Sequence, residues 1–220
     1  MSQEYSTDEE QVEALKRWWR ENGKSTVISI VIAISGVLGW QGWQKQQQAE
    51  VEAASAVYQN MLTVVESQPM TDEQRATANH LAETLKKDFP SSTYARFAAF
   101  YKAKFAVEGK DLDAAETELR WVLASNASAE INVQAKLRLA RIQYAKQELD
   151  AALATLQGDT LGYAVAFEEL RGDIYNAKGD VSQARLAYQK AIELSQQAEN
   201  PITNPLLKLK AEQLAGSEGA

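Results

Sequence analysis

Twenty consecutive residues without a charge, Ser25 to Gln44, constrain this chain more than any other feature. They include the run Val27-Ile28-Ser29-Ile30-Val31-Ile32-Ala33-Ile34. As a helix the stretch extends about 30 Å, the thickness of a bilayer's hydrocarbon core. A buried core helix is the competing reading, but a helix lying on a soluble core carries a polar face and this stretch has none. Trp40 and Trp43 close its far end, and Trp18 and Trp19 precede its near end, where amphipathic indoles favour the headgroup region. A cleaved signal peptide is the other rival. The segment before the span is 24 residues long with six acidic residues, and the first small-x-small site, Ala54-Ser55-Ala56, lies well beyond the apolar run. The pattern predicts an uncleaved signal anchor.

Charge sets the expected orientation. Lys16, Arg17, Arg20 and Lys24 precede the span, whereas Lys45 alone follows it before Arg75, so the positive-inside rule places the N-terminus in the cytoplasm. The larger C-terminal part is then extracytoplasmic, which in a bacterium means periplasmic. Thr7 and Glu10 form a possible capping box, after which Val12, Leu15 and Trp19 share one helical face, predicting a short amphipathic helix at the cytoplasmic surface. A disordered acidic tail is the alternative for the first ten residues. Within the span, Ser25, Ser29, Ala33 and Gly36 form a stripe of small residues on one face. Such a stripe lets a second membrane helix approach closely, though small residues are also tolerated generically in spans.

From Gln46 onward the chain reads as successive helices of 12 to 20 residues, separated by turns at Ser67-Gln68-Pro69, Phe89-Pro90-Ser91-Ser92, Gly109-Lys110-Asp111, Ser125-Asn126-Ala127-Ser128, Gln147-Glu148, Gly158-Asp159, Gly179-Asp180 and Asn200-Pro201. No stretch alternates with period two, so no sheet is expected. Leu170-Arg171-Gly172-Asp173-Ile174-Tyr175, Gly179-Asp180, Ala184, Tyr188 and Ala191 follow the tetratricopeptide pattern. Weaker copies precede it. One runs through Ala140, Tyr144, Leu149, Ala152 and Leu156; another through Ala103, Gly109, Leu112, Ala115, Leu119 and Val122; a third through Ala78, Ala82, Leu85 and Pro90. The equivalent residues Ala78, Ala115, Ala152 and Ala184 are spaced by 37, 37 and 32 residues, around the expected period. A hairpin of this kind buries too little surface alone, so neighbours are expected to stack into a solenoid, with the Leu-rich segment after Asn204-Pro205 as a terminal cap.

Composition narrows the chemistry. The chain has no Cys and a single His, His80, which removes thiol nucleophiles, structural zinc clusters and redox pairs, and leaves hydrolase triads and metal sites poorly supplied. With 23 basic against 30 acidic residues, the net charge of -7 disfavours broad nucleic-acid binding. The acid pairs Glu168-Glu169, Glu116 with Glu118, and Asp111 with Asp113 are expected at helix starts, in turns or on solvated faces. No nucleotide-binding or calcium-loop motif is present. No catalytic residue, cofactor or metal is therefore expected.

Repeat hairpins present the first helix of each repeat to a concave face. In the expected register that face carries Phe97, Phe100 and Lys104, then Arg141 and Tyr144, then Glu169, Asp173 and Asn176, a mixture of rings and charges suited to binding polypeptide. Phe97 and Phe100 can equally be core residues. Trp121, on a second helix, is expected to be structural packing.

An acidic tail, a Trp-Trp basic juxtamembrane segment, one anchor with Gly-Trp-Gln-Gly-Trp at its outer end, Ala114-Ala115-Glu116-x-x-Leu119-Arg120-Trp121-Val122-Leu123 and Leu170-Arg171-Gly172-Asp173 occur together along the chain. In these features it resembles the YfgM family of inner-membrane proteins, across essentially its whole length. That resemblance implies a periplasmic tetratricopeptide domain associated with the SecYEG translocon and the membrane-anchored chaperone PpiD, assisting exported polypeptides, and a cytoplasmic tail that meets a regulator. It carries no catalytic motif. The expectation is an all-α chain: a cytoplasmic tail (1–24), a transmembrane anchor (25–44), a tetratricopeptide-like α-solenoid (45–215) and a frayed end (216–220). Alternative roles on the same architecture are an envelope-stress regulator acting through the tail, and a scaffold for another envelope assembly machinery.

Overall fold

A computed structural model of the chain describes residues 8–66, 69–197 and 205–216. The expected turns at Ser67-Gln68 and Asn200-Pro201, the first seven residues of the tail and residues 217–220 lie outside the described residues. Among the described residues every regular element is a helix: α1 (Asp8–Val65), α2 (Asp72–Asp88), α3 (Thr93–Glu108), α4 (Leu112–Ala124), α5 (Ala129–Ala145), α6 (Leu149–Thr155), α7 (Ala164–Ala177), α8 (Val181–Gln197) and α9 (Pro205–Gly216). The chain divides within α1 into two compact units, Met1–Glu52 and Ala53–Ala220.

In the first unit the expected amphipathic helix and the apolar stretch are one helix, unbroken through Gly36, Gly39 and Gly42. None of its most apolar window is buried, and Val31, Ile32, Leu38 and Trp40 are each more than half exposed. A core helix would be covered by its own protein, so this one is a candidate membrane span. Ser25, Ser29, Ala33 and Gly36 lie exposed on it, with open space where a Cβ on Gly36 would stand.

The second unit is built of helical hairpins: the end of α1 with α2, α3 with α4, α5 with α6, and α7 with α8, closed by α9. Its core comes in successive clusters rather than one centre. Met61, Leu85 and Phe105 anchor the first; Phe100, Leu119 and Leu139 the second; Leu137, Leu156 and Phe167 the third; Tyr188, Leu207 and Leu214 the fourth. Each cluster draws on three consecutive helices, which is how hairpins with too little surface of their own stabilise one another. Trp121 packs at the border of the first two clusters, as expected of a structural residue.

The repeat residues found in the sequence are the positions where helices meet. Ala78, Ala115, Ala152 and Ala184 are all completely buried. Twelve residues before the last three stand Ala103, Ala140 and Gly172, also buried on the facing first helix. At Gly172 the approach is closest: a Cβ there would lie 2.4 Å from the Tyr188 ring.

The hairpin turns repeat as well. Lys110, Gln147 and Gly179 have positive φ (62, 62 and 78°). In each case the following residue's N–H donates to the carbonyl five residues back (Asp111 to Ala106, Glu148 to Gln143, Asp180 to Tyr175), and the positive-φ residue donates three back. This is the Schellman closure of a helix end. Asp111 and Asp180 then cap the next helix, accepting from the N–H groups of Ala114 and Gln183. Of these three turns only the last has glycine at the positive-φ position; in the Gly109-Lys110-Asp111 turn the strained residue is Lys110.

One element departs from expectation. α6 has seven residues instead of twelve or more. It lacks a side-chain N-cap, and Gly158, Leu161 and Gly162 turn the chain through positive φ (96, 39 and 87°) before α7 begins. The 32-residue spacing between Ala152 and Ala184 has two sources: the stretch from Ala152 to α7 is two residues shorter than that from Ala115 to α5, and α7, with 14 residues, is three shorter than α5, with 17.

Because a non-glycine residue in the left-handed region is strained, Lys110→Gly and Gln147→Gly should each raise stability by about 1 kcal/mol. Gly172→Ala should lower it by about 1–3 kcal/mol through overpacking against Tyr188. Urea unfolding followed by circular dichroism reads all three, and an unchanged midpoint for each would show that neither turn strain nor helix approach limits stability.

Candidate functional site

Helical spacing aligns three stripes on the first helices of consecutive repeats. Tyr58 comes from the end of α1, Phe97, Tyr101, Lys104 and Val107 from α3, and Gln134, Arg138 and Arg141 from α5. Spacings of three and four residues keep each set on one face. Together they line a groove of about 630 Å³ whose floor is Phe100, Ala103, Leu119 and Ile142. The floor is shared with the core, since all four residues are buried. Phe100 therefore serves both roles open to it in the sequence, with the Arg138 guanidinium 4.3 Å above its ring centre. Phe97 stands exposed at the wall, its ring 6.2 Å from that of Tyr58, which in turn lies 5.4 Å from Tyr94. Burial, then the neighbouring Tyr101 and Tyr94, push the Tyr58 hydroxyl up.

Four of the eight sequence-selected residues, Phe97, Phe100, Lys104 and Arg141, meet in this groove. Tyr144 is half-buried against the third core cluster instead. Glu169 and Asp173 face the terminal helix: Lys210 of α9 pairs with Glu169 at 2.9 Å and Asp173 at 2.8 Å, and the Tyr188 hydroxyl donates to Asp173 at 2.7 Å. Asn176 is exposed near the end of α7. None of these four lines the groove; for Glu169 and Asp173 the reason is that Lys210 of the terminal helix occupies them. Tyr58, Tyr101, Val107, Gln134 and Arg138 were missed. The i, i+4, i+7 series Gln134, Arg138, Arg141 could have found the α5 stripe, whereas Tyr58 required the boundary of the first hairpin.

The paired carboxylates differ from expectation. Glu116, Glu118 and Glu168 are buried, not on solvated faces. Lysines from neighbouring elements end on all three carboxylates, and Arg120 and Arg171 reach Glu116 and Glu168 from within the same helix. Glu118 accepts from Lys86 at 2.6 Å and Lys102 at 2.8 Å, and Lys102 also reaches Glu83 at 2.6 Å. Glu116 pairs with Arg120 and Lys146, and Lys146 also meets Asp113 and Glu148. Glu168 pairs with Arg171 and Lys190. The hydrogen bond from Lys146 and the pairing with Arg120 hold Glu116 below the ordinary carboxylate value, and Lys102 does the same for Glu83. Asp113, Glu116 and Glu148 together raise Lys146. Each acid is therefore a structural tie between helices. His80 is exposed, and among the described residues no group of three or more His, Asp or Glu is placed to hold a metal ion.

Stacked hairpins with buried small residues at the helix crossings, preceded by an apolar helix, define a tetratricopeptide-repeat protein with a candidate N-terminal membrane span. The chain matches the family described as a tetratricopeptide repeat-like domain over residues 16–216. It is 33% identical over 214 residues to a protein of Haemophilus influenzae, covering 96% of this chain and 99% of that one. It is 37% identical over 191 residues to one of Aggregatibacter actinomycetemcomitans (86% and 91% covered), and 30% identical over 214 residues to one of Escherichia coli (96% and 98%). All three are named ancillary SecYEG translocon subunit. No solved structure matches the chain. The chain belongs to the YfgM family.

The ties between helices have a pH signature. Glu83 and Glu116 titrate below 4.5 in the folded protein, so below that pH the unfolded chain binds more protons than the folded one. Stability present at neutral pH should fall as pH drops through 4.5 and below. Thermal unfolding between pH 7 and pH 3.5 measures this, and Glu116→Gln should lower the melting temperature at pH 7 and flatten the acid limb. A variant limb superimposable on that of the parent would remove Glu116 from the account.

Proposed function

We propose that this chain is a non-catalytic ancillary subunit of the SecYEG translocon. Its apolar helix anchors it in the inner membrane with the N-terminus in the cytoplasm, and its repeats stand in the periplasm. The observation that carries this reading is the end-to-end similarity to relatives of that name, which includes both the anchor and the repeats. The four cations on the near side of the span, against Lys45 alone on the far side before Arg75, support the orientation. The groove of the second unit, walled by aromatic residues and cations, suits a polypeptide, either the chaperone PpiD or an emerging exported chain.

The mechanism is tethering. A repeat domain held beside a channel meets its partners at a high effective concentration, so weak contacts give useful occupancy without a slow release step. No proton transfer or covalent step is required, and the buried acids, each held by a cation, fit that economy of chemistry.

Two measurements test the proposal. Photocrosslinkers placed in intact cells at Ala33 in the span, and at Lys104 and Arg141 in the groove, should give channel subunits from the first position and PpiD or exported chains from the other two. Adducts with an unrelated assembly factor alone, or none with the channel, would overturn it. Because the chain has no Cys, single thiols introduced at Glu10 and Lys110 report topology with an impermeant maleimide. Labelling of Lys110→Cys in cells with a permeabilised outer membrane, and of Glu10→Cys only after the inner membrane is opened, is expected; the reverse pattern would invert the orientation.

A further inference from the structure

The charge of the groove is opposite to that of the chain. The chain carries a net charge of -7, yet the groove lining contains Lys104, Arg138 and Arg141 and no Asp or Glu. Elsewhere in the second unit several cations are tied to buried or bordering acids, Lys86 and Lys102 to Glu118, Lys146 to Glu116, Lys190 to Glu168 and Lys210 to Asp173, while Arg96 and Lys136 end on backbone carbonyls. In the groove, Lys104 has only a long 3.8 Å contact to Glu108, which is itself held by Arg75 at 2.7 Å. Among the described residues Arg138 and Arg141 have no carboxylate partner, although both lie on α5 one turn apart.

Two like charges one helical turn apart repel, and here no acid of the same chain relieves them. A guanidinium presents a planar fork of donors that matches a carboxylate bidentately. Beside these forks stand the rings of Phe97 and Tyr58, with an apolar floor beneath. A volume of about 630 Å³ accommodates a few side chains of a partner rather than a whole acyl chain and headgroup.

Resting on the reading of the groove as a polypeptide site, we infer that it selects an acidic amphipathic segment. Carboxylates one helical turn apart engage Arg138 and Arg141, and interleaved aliphatic or aromatic side chains pack on Phe97 and Tyr58. The arginine forks select for carboxylates and the apolar floor and rings select for apolar side chains, so charge and shape together set specificity.

The test uses the full chain in detergent micelles and fluorescein-labelled synthetic peptides in which Glu alternates in helical spacing with Leu and Phe. Fluorescence anisotropy should show the Glu peptide binding about tenfold or more tighter than the same peptide with Gln for Glu, the effect of losing a charge-assisted pair. Rising salt should narrow the difference. The double variant Arg138→Gln/Arg141→Gln should lose the preference while keeping its helical circular dichroism, and Phe97→Ala should weaken both peptides alike. Equal affinities of the two peptides for the parent chain, or an unchanged preference in the double variant, would overturn the inference. So would complete displacement of the Glu peptide by phosphatidylglycerol vesicles whose own binding depends on the two arginines, which would make the groove an anionic-lipid site. Failure of the peptide preference with channel adducts intact would remove this inference alone, whereas a preserved preference without channel adducts would remove the translocon reading.

Discussion

Close approach of paired helices is the condition on which the second unit rests. A hairpin of two helices can bury a continuous face only if backbones come near where they cross, and bulky side chains at the crossing would hold them apart. Ala103 with Ala115, Ala140 with Ala152, and Gly172 with Ala184 and Tyr188 meet that condition in successive repeats. With the crossings tight, larger residues such as Leu119, Phe167 and Tyr188 fill the layer between one hairpin and the next. The groove is a consequence of the same stacking, because first helices set side by side leave a trough between their outward stripes.

Charge then does two different things in one small domain. Between helices it works as a set of buried ties, with Glu116, Glu118 and Glu168 each held by two cations. Such ties add little over a well-packed apolar contact, but removing one partner strands a buried charge, so they enforce one register of stacking. In the groove Lys104 has one long contact to Glu108, and Arg138 and Arg141 have no carboxylate partner among the described residues. On the proposed reading, these two arginines are the bonding capacity that the fold leaves over for a partner.

The two units treat their apolar residues differently. The first exposes them on all sides over the candidate span and buries none of that window. The second is amphipathic helix by helix and satisfies itself in layers. The acid pairs Glu116 with Glu118 and Glu168 with Glu169 are taken up in ties between helices.

By itself the sequence determined the apolar stretch that makes the candidate membrane span, the all-helical class, the repeat period and the small residues at the helix crossings. Each of these is a local pattern: a run of uncharged residues, a helical spacing, a recurring Ala or Gly. It also grouped Phe97, Phe100, Lys104 and Arg141, which line one groove in the structure, since helical periodicity within α3 and α5 suffices for that. Only the tertiary structure decided that Tyr58 joins them, that Glu169 and Asp173 are taken by Lys210, and that Glu116 and Glu118 are buried beneath lysines from other helices. Those outcomes depend on which helices become neighbours and on how far a long side chain reaches across the gap. A one-dimensional pattern records neither, because the partners stand about thirty to forty residues apart along the chain and meet only when the hairpins stack.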